Sequence, residues 1–531
     1  MIENHVKLYF DEKSLDNPHE PIESRNKIKI TLRKNKLNKE IQNKRLVHLE
    51  QTKLDLITNL MPEYRIKIKS FEESYTQILS YLNSNNIDYI TYALNELRIY
   101  FFQYSPNINE QSIIINCNFL FHLLKLGNIF IKGNLNYSND FNKDKNKNNL
   151  IQILWILINI QVFKEGSGDY LKILYTKEFF EFYNDSLNFG KTEEFFNSIK
   201  WILKSLICNN ENINLLILRS DVFSTILDNF EKDDEKEIDD IIITLNIINY
   251  SVDLSGQEEN IIKSDVPIIK RCLDILMELG YSAKDEEIIL RIYQGIYHIS
   301  EIENNYNFNK LILDNFILKI MKSKFYKSKK SDEKFLKIVN FATRILANVL
   351  TESDKNCEII YNLNIIDYYN NILKKFDNNN EILTNILVGL SNISIGKNRK
   401  IILNSIIWEK EKIQNYLNRG DDIKIKYIKI LKYLIFNADL ETLKFFYKSK
   451  ILEYFMFIFN STDINQIIRI KILKLIDRYL KKFKEKEKQC EEFLLIFHKF
   501  YDLFSSSEQI NLLEFQEIIR KIKESLNNKY K

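Results

Sequence analysis

Trp155 and Asn159 stand four residues apart in the stretch LIQILWILINIQ. If that stretch is helical, the two side chains share one face. An asparagine amide both donates and accepts, so it can pin the main chain of an extended peptide. An indole face can take the aliphatic stem and charged head of a Lys or Arg. The chemistry on offer is recognition of a cationic peptide. Trp and Asn are also ordinary packing residues, and one such pair in an Asn-rich chain carries little by itself. Recurrence gives it weight. FNSIKWILKSLI places Trp201 before Ser205, with Asn209 four residues further on. ITLNIINYSVD offers Leu245/Asn249 or Asn246/Tyr250, and YQGIYHIS offers Gln294/His298. FATRILANVL gives Arg344/Asn348, and ILVGLSNISIG gives Val388/Asn392. His298 reads as a polar groove or packing residue, not a catalytic one.

The sequence carries no GxxxxGK[ST], GxSxG or HExxH pattern. Its six histidines are dispersed, and its carboxylates lie in charge-mixed stretches such as EKDDEKEIDD. An enzyme is not expected, nor a cofactor. Cys117, Cys208, Cys272, Cys357 and Cys490 are scattered and form no CxxC, which argues against zinc and against a disulfide framework. The N-terminal residues lack the apolar core of a signal peptide, and no apolar run approaches the length of a membrane span.

Something must position those pairs, and composition says what. The 531 residues include only 5 Pro and 11 Gly. A β-rich chain of this length needs far more turn formers, so near-continuous helix with short connections is expected. One pattern recurs: an aliphatic pair, a short polar step, then a new apolar helix start. It appears in IIINCNFLFHLL, LILRSDVFSTIL, IIKSDVPIIKRCL, IIYNLNIIDYYNNIL and FFYKSKILEYF. Phe179 to Val222 is 43 residues, Val222 to Val266 is 44, and Ile406 to Ile451 is 45. A helical period near this length is the armadillo or HEAT signature. Pro267, in position to open a helix behind Asp265 as its N-cap, favours armadillo. The expected fold is all-α: an armadillo-repeat superhelical solenoid of about ten repeats over residues 75–531. GNLNYSNDFNKDKNKNNL, residues 133–150, reads as an Asn/Lys-rich insertion between repeats.

Residues 25–45, RNKIKITLRKNKLNKEIQNKR, hold nine Lys or Arg against the single acid Glu40. The whole chain is close to neutral, with 76 basic and 72 acidic residues. The basic groups are Arg25, Lys27, Lys29, Arg33, Lys34, Lys36, Lys39, Lys44 and Arg45, with Leu32 an apolar member among them. Such a block attracts an acidic surface and speeds encounter; it is also what a solvated basic tail looks like.

Together these features resemble importin-α. The resemblance rests on the diluted basic start, the Ile28–Lys36 stretch set against the family's ELRKxK, the Lys44-Arg45 cluster, the turn at Ser105-Pro106-Asn107-Ile108, and the groove pairs. It implies that residues 1–60 are an importin-β-binding segment and linker. It implies that Trp155, Asn159, Trp201, Ser205, Asn209, Asn249, His298, Arg344, Asn348 and Asn392 hold a basic nuclear-localisation signal. The family carries an Asp where this chain has Asn209. Partners would be importin-β, cargo with such signals and an exportin-type export receptor, with shuttling between cytoplasm and nucleus. No membrane and no direct nucleic-acid contact are expected. The alternative is an armadillo scaffold of cytoskeletal or ciliary assembly without import activity, the basic segment serving as a tail.

Overall fold

A computed structural model describes residues 68–485, apart from 69, 105–107, 117, 134–140, 162–169, 210–212, 233–236, 255–260, 303–306, 315, 317–332, 351–363, 396–398, 437 and 460–464. The described residues form mostly α-helices, with short 3-10 turns and a π-helical stretch at 312–314. The chain divides into two compact units, residues 1–275 and 276–531.

In the first unit, α1 (Phe71–Leu82) leads to α2 (Ile87–Gln103), α3 (Ile108–Asn116), α4 (Phe119–Lys132) and α5 (Phe141–Ile160). Then come α6 (Lys177–Gly190), α7 (Glu193–Asn209), α8 (Asn214–Leu218), α9 (Asp221–Lys232), α10 (Ile238–Ser251) and α11 (Val266–Ser282), whose last residues pass into the second unit. The long members α2, α5, α7 and α10 are the third helices of successive repeats, each packed on the next. The second unit continues with α12 (Glu286–Glu301), α13 (Phe308–Leu311), α14 (Glu333–Val349), α15 (Ile365–Phe376) and α16 (Asn380–Ile395). Its last described helices are α17 (Lys410–Leu417), α18 (Asp421–Phe436), α19 (Leu440–Lys448), α20 (Ile451–Phe459) and α21 (Gln466–Glu485). Here the third helices are α12, α14, α16, α18 and α21, again packed in order. This is the armadillo-type arrangement that the period anticipates.

Local chemistry sets the ends of these helices. Three of the third helices start on a short polar side chain that takes their unpaired N–H groups. Asn86 accepts from Asp88 N at 2.9 Å before α2. Asp285 accepts from Glu287 N at 2.8 Å before α12, and Asn379 from Glu381 N at 3.0 Å before α16. In three repeats the sharp turn into the second helix is made on a left-handed residue. These are Asn118 before α4, Asn364 before α15 and Lys450 before α20, with φ of 52°, 50° and 54°. Asparagine tolerates that region better than most residues, which lets a glycine-poor chain make the turns. Burial then holds the layers together. Phe71, Phe101 and Phe119 are all within 1% of full burial, and the Phe71 ring centroid lies 5.2 Å from that of Phe101 and 5.1 Å from that of Phe119. Each such side chain contributes about 1.5–3 kcal/mol.

Two expectations change in detail. Residues 141–150, read as the end of an insertion, are the opening turns of α5. Asn149 there is fully buried, and Lys145 meets Asp88 of α2 at 2.9 Å. Packing on a neighbour overrides the weak helix propensity of an Asn-rich run. Asp265 does precede the helix that contains Pro267, but its carboxylate does not cap that helix. It accepts from Ile262 N at 2.9 Å and from Arg219 Nε and a terminal guanidinium nitrogen at 2.8 and 2.7 Å. A two-pronged guanidinium is the stronger partner.

Candidate peptide-binding face

In the first unit the anticipated ladder is closed. Residues 150–160 of α5, 198–207 of α7 and 243–249 of α10 are buried throughout. The α5 run is apolar all round, which suits a helix enclosed by neighbours. Trp155 is 6% exposed, with the Arg98 guanidinium 5.1 Å from its ring centroid. Trp201 is 8% exposed, with the Lys204 ammonium 4.5 Å from its centroid. Cations of this chain therefore occupy the indole faces on which a cationic peptide was expected. Asn159, Ser205 and Asn249 are buried. Asn159 Nδ2 donates to the Arg98 carbonyl at 3.3 Å, so the amide stitches α5 to α2. The expectation of open indole faces at Trp155 and Trp201 is corrected on this point: enclosure turns both side chains inward. Asn209 ends α7, and its side chain lies outside the described residues. The basic residues from Arg25 to Arg45 lie outside them as well.

The second unit differs. Arg344 of α14 and Asn348 one turn on are half-buried, as is Asn392 of α16. Arg344 reaches Glu381 of α16 at 3.0 Å and lies 5.5 Å from the ring centroid of Tyr297 on α12. One side chain thus bridges three consecutive third helices. Asn348 Nδ2 donates to Ser300 Oγ at 3.0 Å, and Asn392 Nδ2 to the Ala347 carbonyl at 2.9 Å. The repeated asparagines play the same structural part, in that each amide ties its third helix to the one before. His298 is buried, its Nδ1 3.9 Å from a Glu301 carboxylate oxygen and its ring 5.2 Å from that of Tyr297.

The structure brings Arg344, Asn348 and Asn392 onto one half-open stripe and encloses Trp155, Asn159, Trp201, Ser205 and Asn249. Two members of the stripe escape the WxxxN spacing, Tyr297 and Glu381. Tyr297 lies three residues past Gln294, and Glu381 sits in the first turn of α16. A search for charge and aromatic groups at i+3 as well as i+4 on each third helix finds the tyrosine. The glutamate needs the helix boundary. Among the described residues, no group of three or more His, Cys, Asp and Glu could hold a metal ion, and no helix is long and apolar enough to cross a membrane.

Residues 254–476 match the family described as the C-terminal domain of protein zer-1 homolog-like proteins. No curated protein matches the chain. Among solved structures, the chain is similar to one from work on a phosphorylation switch that controls the interaction between cadherin and β-catenin. That match is 11% identical, covers 86% of this chain and 84% of the other, and has a TM-score of 0.54. It establishes the armadillo-type fold alone. An engineered protein aligns to 48% of this chain and 98% of its own length, at 16% identity and a TM-score of 0.37.

Proposed function

We propose that this chain is a non-enzymatic armadillo scaffold that holds an extended segment of a partner protein on the third helices of its second unit. The observation that supports this most directly is the half-open stripe around Arg344, which spans α12, α14 and α16 through Tyr297 and Glu381. A guanidinium poised between a ring and a carboxylate can exchange either for a peptide group at little cost. The half-exposed amides at Asn348 and Asn392 add polar groups at the spacing of neighbouring helices. The test is a selection of displayed random peptides on the full-length protein. Enriched peptides should bind the parent and lose most affinity for an Arg344→Glu variant of unchanged melting temperature. Failure to enrich any peptide, or equal binding by the variant, removes the reading.

A second reading, nuclear import, is favoured by one observation: the nine basic residues packed into 25–45. In that reading the segment engages importin-β, cargo with basic localisation signals binds the repeats, and an exportin-type receptor recycles the adaptor between nucleus and cytoplasm. Arg98 over Trp155 and Lys204 over Trp201 weigh against the cargo half of it, because both cations repel a lysine-rich signal. Full-length protein should retain importin-β, and an Arg33→Ala, Lys34→Ala, Lys36→Ala variant should not. Absence of retention by the parent leaves the scaffold reading alone.

A further inference from the structure

The last two described third helices are predominantly basic. α18 reads DDIKIKYIKILKYLIF, four lysines with two aspartates confined to its first turn. α21 reads QIIRIKILKLIDRYLKKFKE, seven basic residues against two acidic. Their apolar positions are spent on packing: Tyr427, Ile430, Leu431, Ile472, Leu473 and Ile476 are all fully buried. α16 and α21 flank α18, with α17 and α19 also packed on it. The face that remains shows Lys429, Lys432 and Phe436 on α18, at steps of three and four residues. On α21 the matching stripe runs through Lys474, Arg478 and Lys481.

The two stripes meet on one surface. The Arg478 guanidinium lies 5.0 Å from the ring centroid of Phe436, which is 53% exposed. Asp477 is taken by Lys481 at 2.7 Å, and Asp421 by Lys424 at 3.4 Å. Asp477 and Asp421 are thus each neutralised by a lysine of their own helix. Like charges one turn apart on neighbouring helices repel, and the apolar packing beneath them does not require them.

From this we infer that the α18–α21 face binds an extended acidic segment of a partner protein, with one apolar side chain of that segment covering Phe436. The inference rests on the reading of this unit's third helices as a peptide-holding surface, and names the chemistry of the peptide. Neighbouring helices lie roughly 8–10 Å apart, and an extended chain covers that distance in about three residues. An acid at every third position therefore meets one cationic stripe after the other. A nucleic-acid backbone suits the face less well. Its phosphates bring no apolar group to the exposed Phe436 ring, whereas a peptide supplies an aliphatic side chain.

The experiment is fluorescence polarisation with the full-length protein and four labelled probes. They are a peptide with Glu at every third position and a central Leu, the same peptide with Gln for Glu, a lysine-rich peptide, and a single-stranded RNA. The Glu peptide should bind about tenfold or more tightly than the Gln peptide, and its affinity should fall as salt rises. A Lys429→Glu, Lys432→Glu, Lys474→Glu variant should lose that preference while keeping the parent's circular dichroism, since all three side chains are exposed. Equal binding of the Glu and Gln peptides overturns the inference, as does an unchanged variant. So does tighter binding of the RNA that is lost in the same variant. Selected peptides that depend on Arg344 but ignore the lysine changes overturn it while leaving the scaffold reading intact. Failure of every peptide, selected or designed, removes both.

Discussion

Arg344 reaches from α14 across to Glu381 on α16, nitrogen to oxygen 3.0 Å apart, with the Tyr297 ring of α12 beneath it. The side chains remain 37% and 56% exposed, so water screens the pair. Such a pair contributes less than about 1 kcal/mol to stability. Arg344→Ala should therefore leave the melting temperature nearly unchanged while weakening any peptide that needs this stripe. A large drop in melting temperature would mean that Arg344 serves the fold and not a partner.

Arg98 is the opposite case. It is 7% exposed, donates to Gln152 Oε1 at 2.8 Å and stacks over Trp155. Burial lowers its pKa to about 10. Arg98→Ala removes the packed stem and leaves a buried amide oxygen without its donor, at a cost of about 2–4 kcal/mol. Arg98→Met keeps most of the volume and should lose clearly less. Urea midpoints of the two variants decide the ranking; equal losses would show that the charge matters more than the packing.

The Arg219 hydrogen bonds hold the Asp265 carboxyl below the usual carboxylate range, with Ile262 N adding to the effect. A folded pKa below the unfolded one stabilises the fold above the unfolded value, about 3.9. That contribution is lost as the pH falls from there through the folded value. Asp265→Asn should be less stable than the parent at neutral pH, and the gap should close as the pH falls below the unfolded value and through the lowered folded one. Thermal melts across that window check it. Because the Arg219 side chain is 41% exposed, the neutral-pH loss should stay near 1–2 kcal/mol. A gap of constant size at every pH would contradict the assignment.

Gly389 lies where α16 crosses α15. A Cβ there runs into the Tyr369 hydroxyl, and Tyr369 is wholly buried. Alanine favours helix by about 1 kcal/mol over glycine, but overpacking costs about 1–3 kcal/mol. Gly389→Ala should lower the melting temperature, and adding Tyr369→Phe should recover part of the loss by removing the oxygen that clashes. A variant more stable than the parent would mean that the ring has room to move.

Much of the fold is legible in the residues. IIYNLNIIDYYNNIL announces a turn and a new helix because Asn364 can take a left-handed conformation and the following Ile365, Ile366, Tyr369 and Ile372 form one apolar face. The asparagines at 159, 348 and 392 stand at equivalent places because each spans the gap to the preceding third helix. That partner belongs to the previous repeat, so spacing marks the position without revealing the role.

Sequence alone determined that this protein is helical, repetitive, glycine-poor and armed with recurrent Asn positions, because turn chemistry and helical period are properties of neighbouring residues. Tertiary structure decided which of those positions meet solvent. Trp155 and Arg344 occupy matching places on their helices, yet one lies in the enclosed run of α5 and the other on the half-open stripe of α14. Whether a helix face is open depends on which chain segments pack against it, and that is settled by contacts between residues dozens of positions apart.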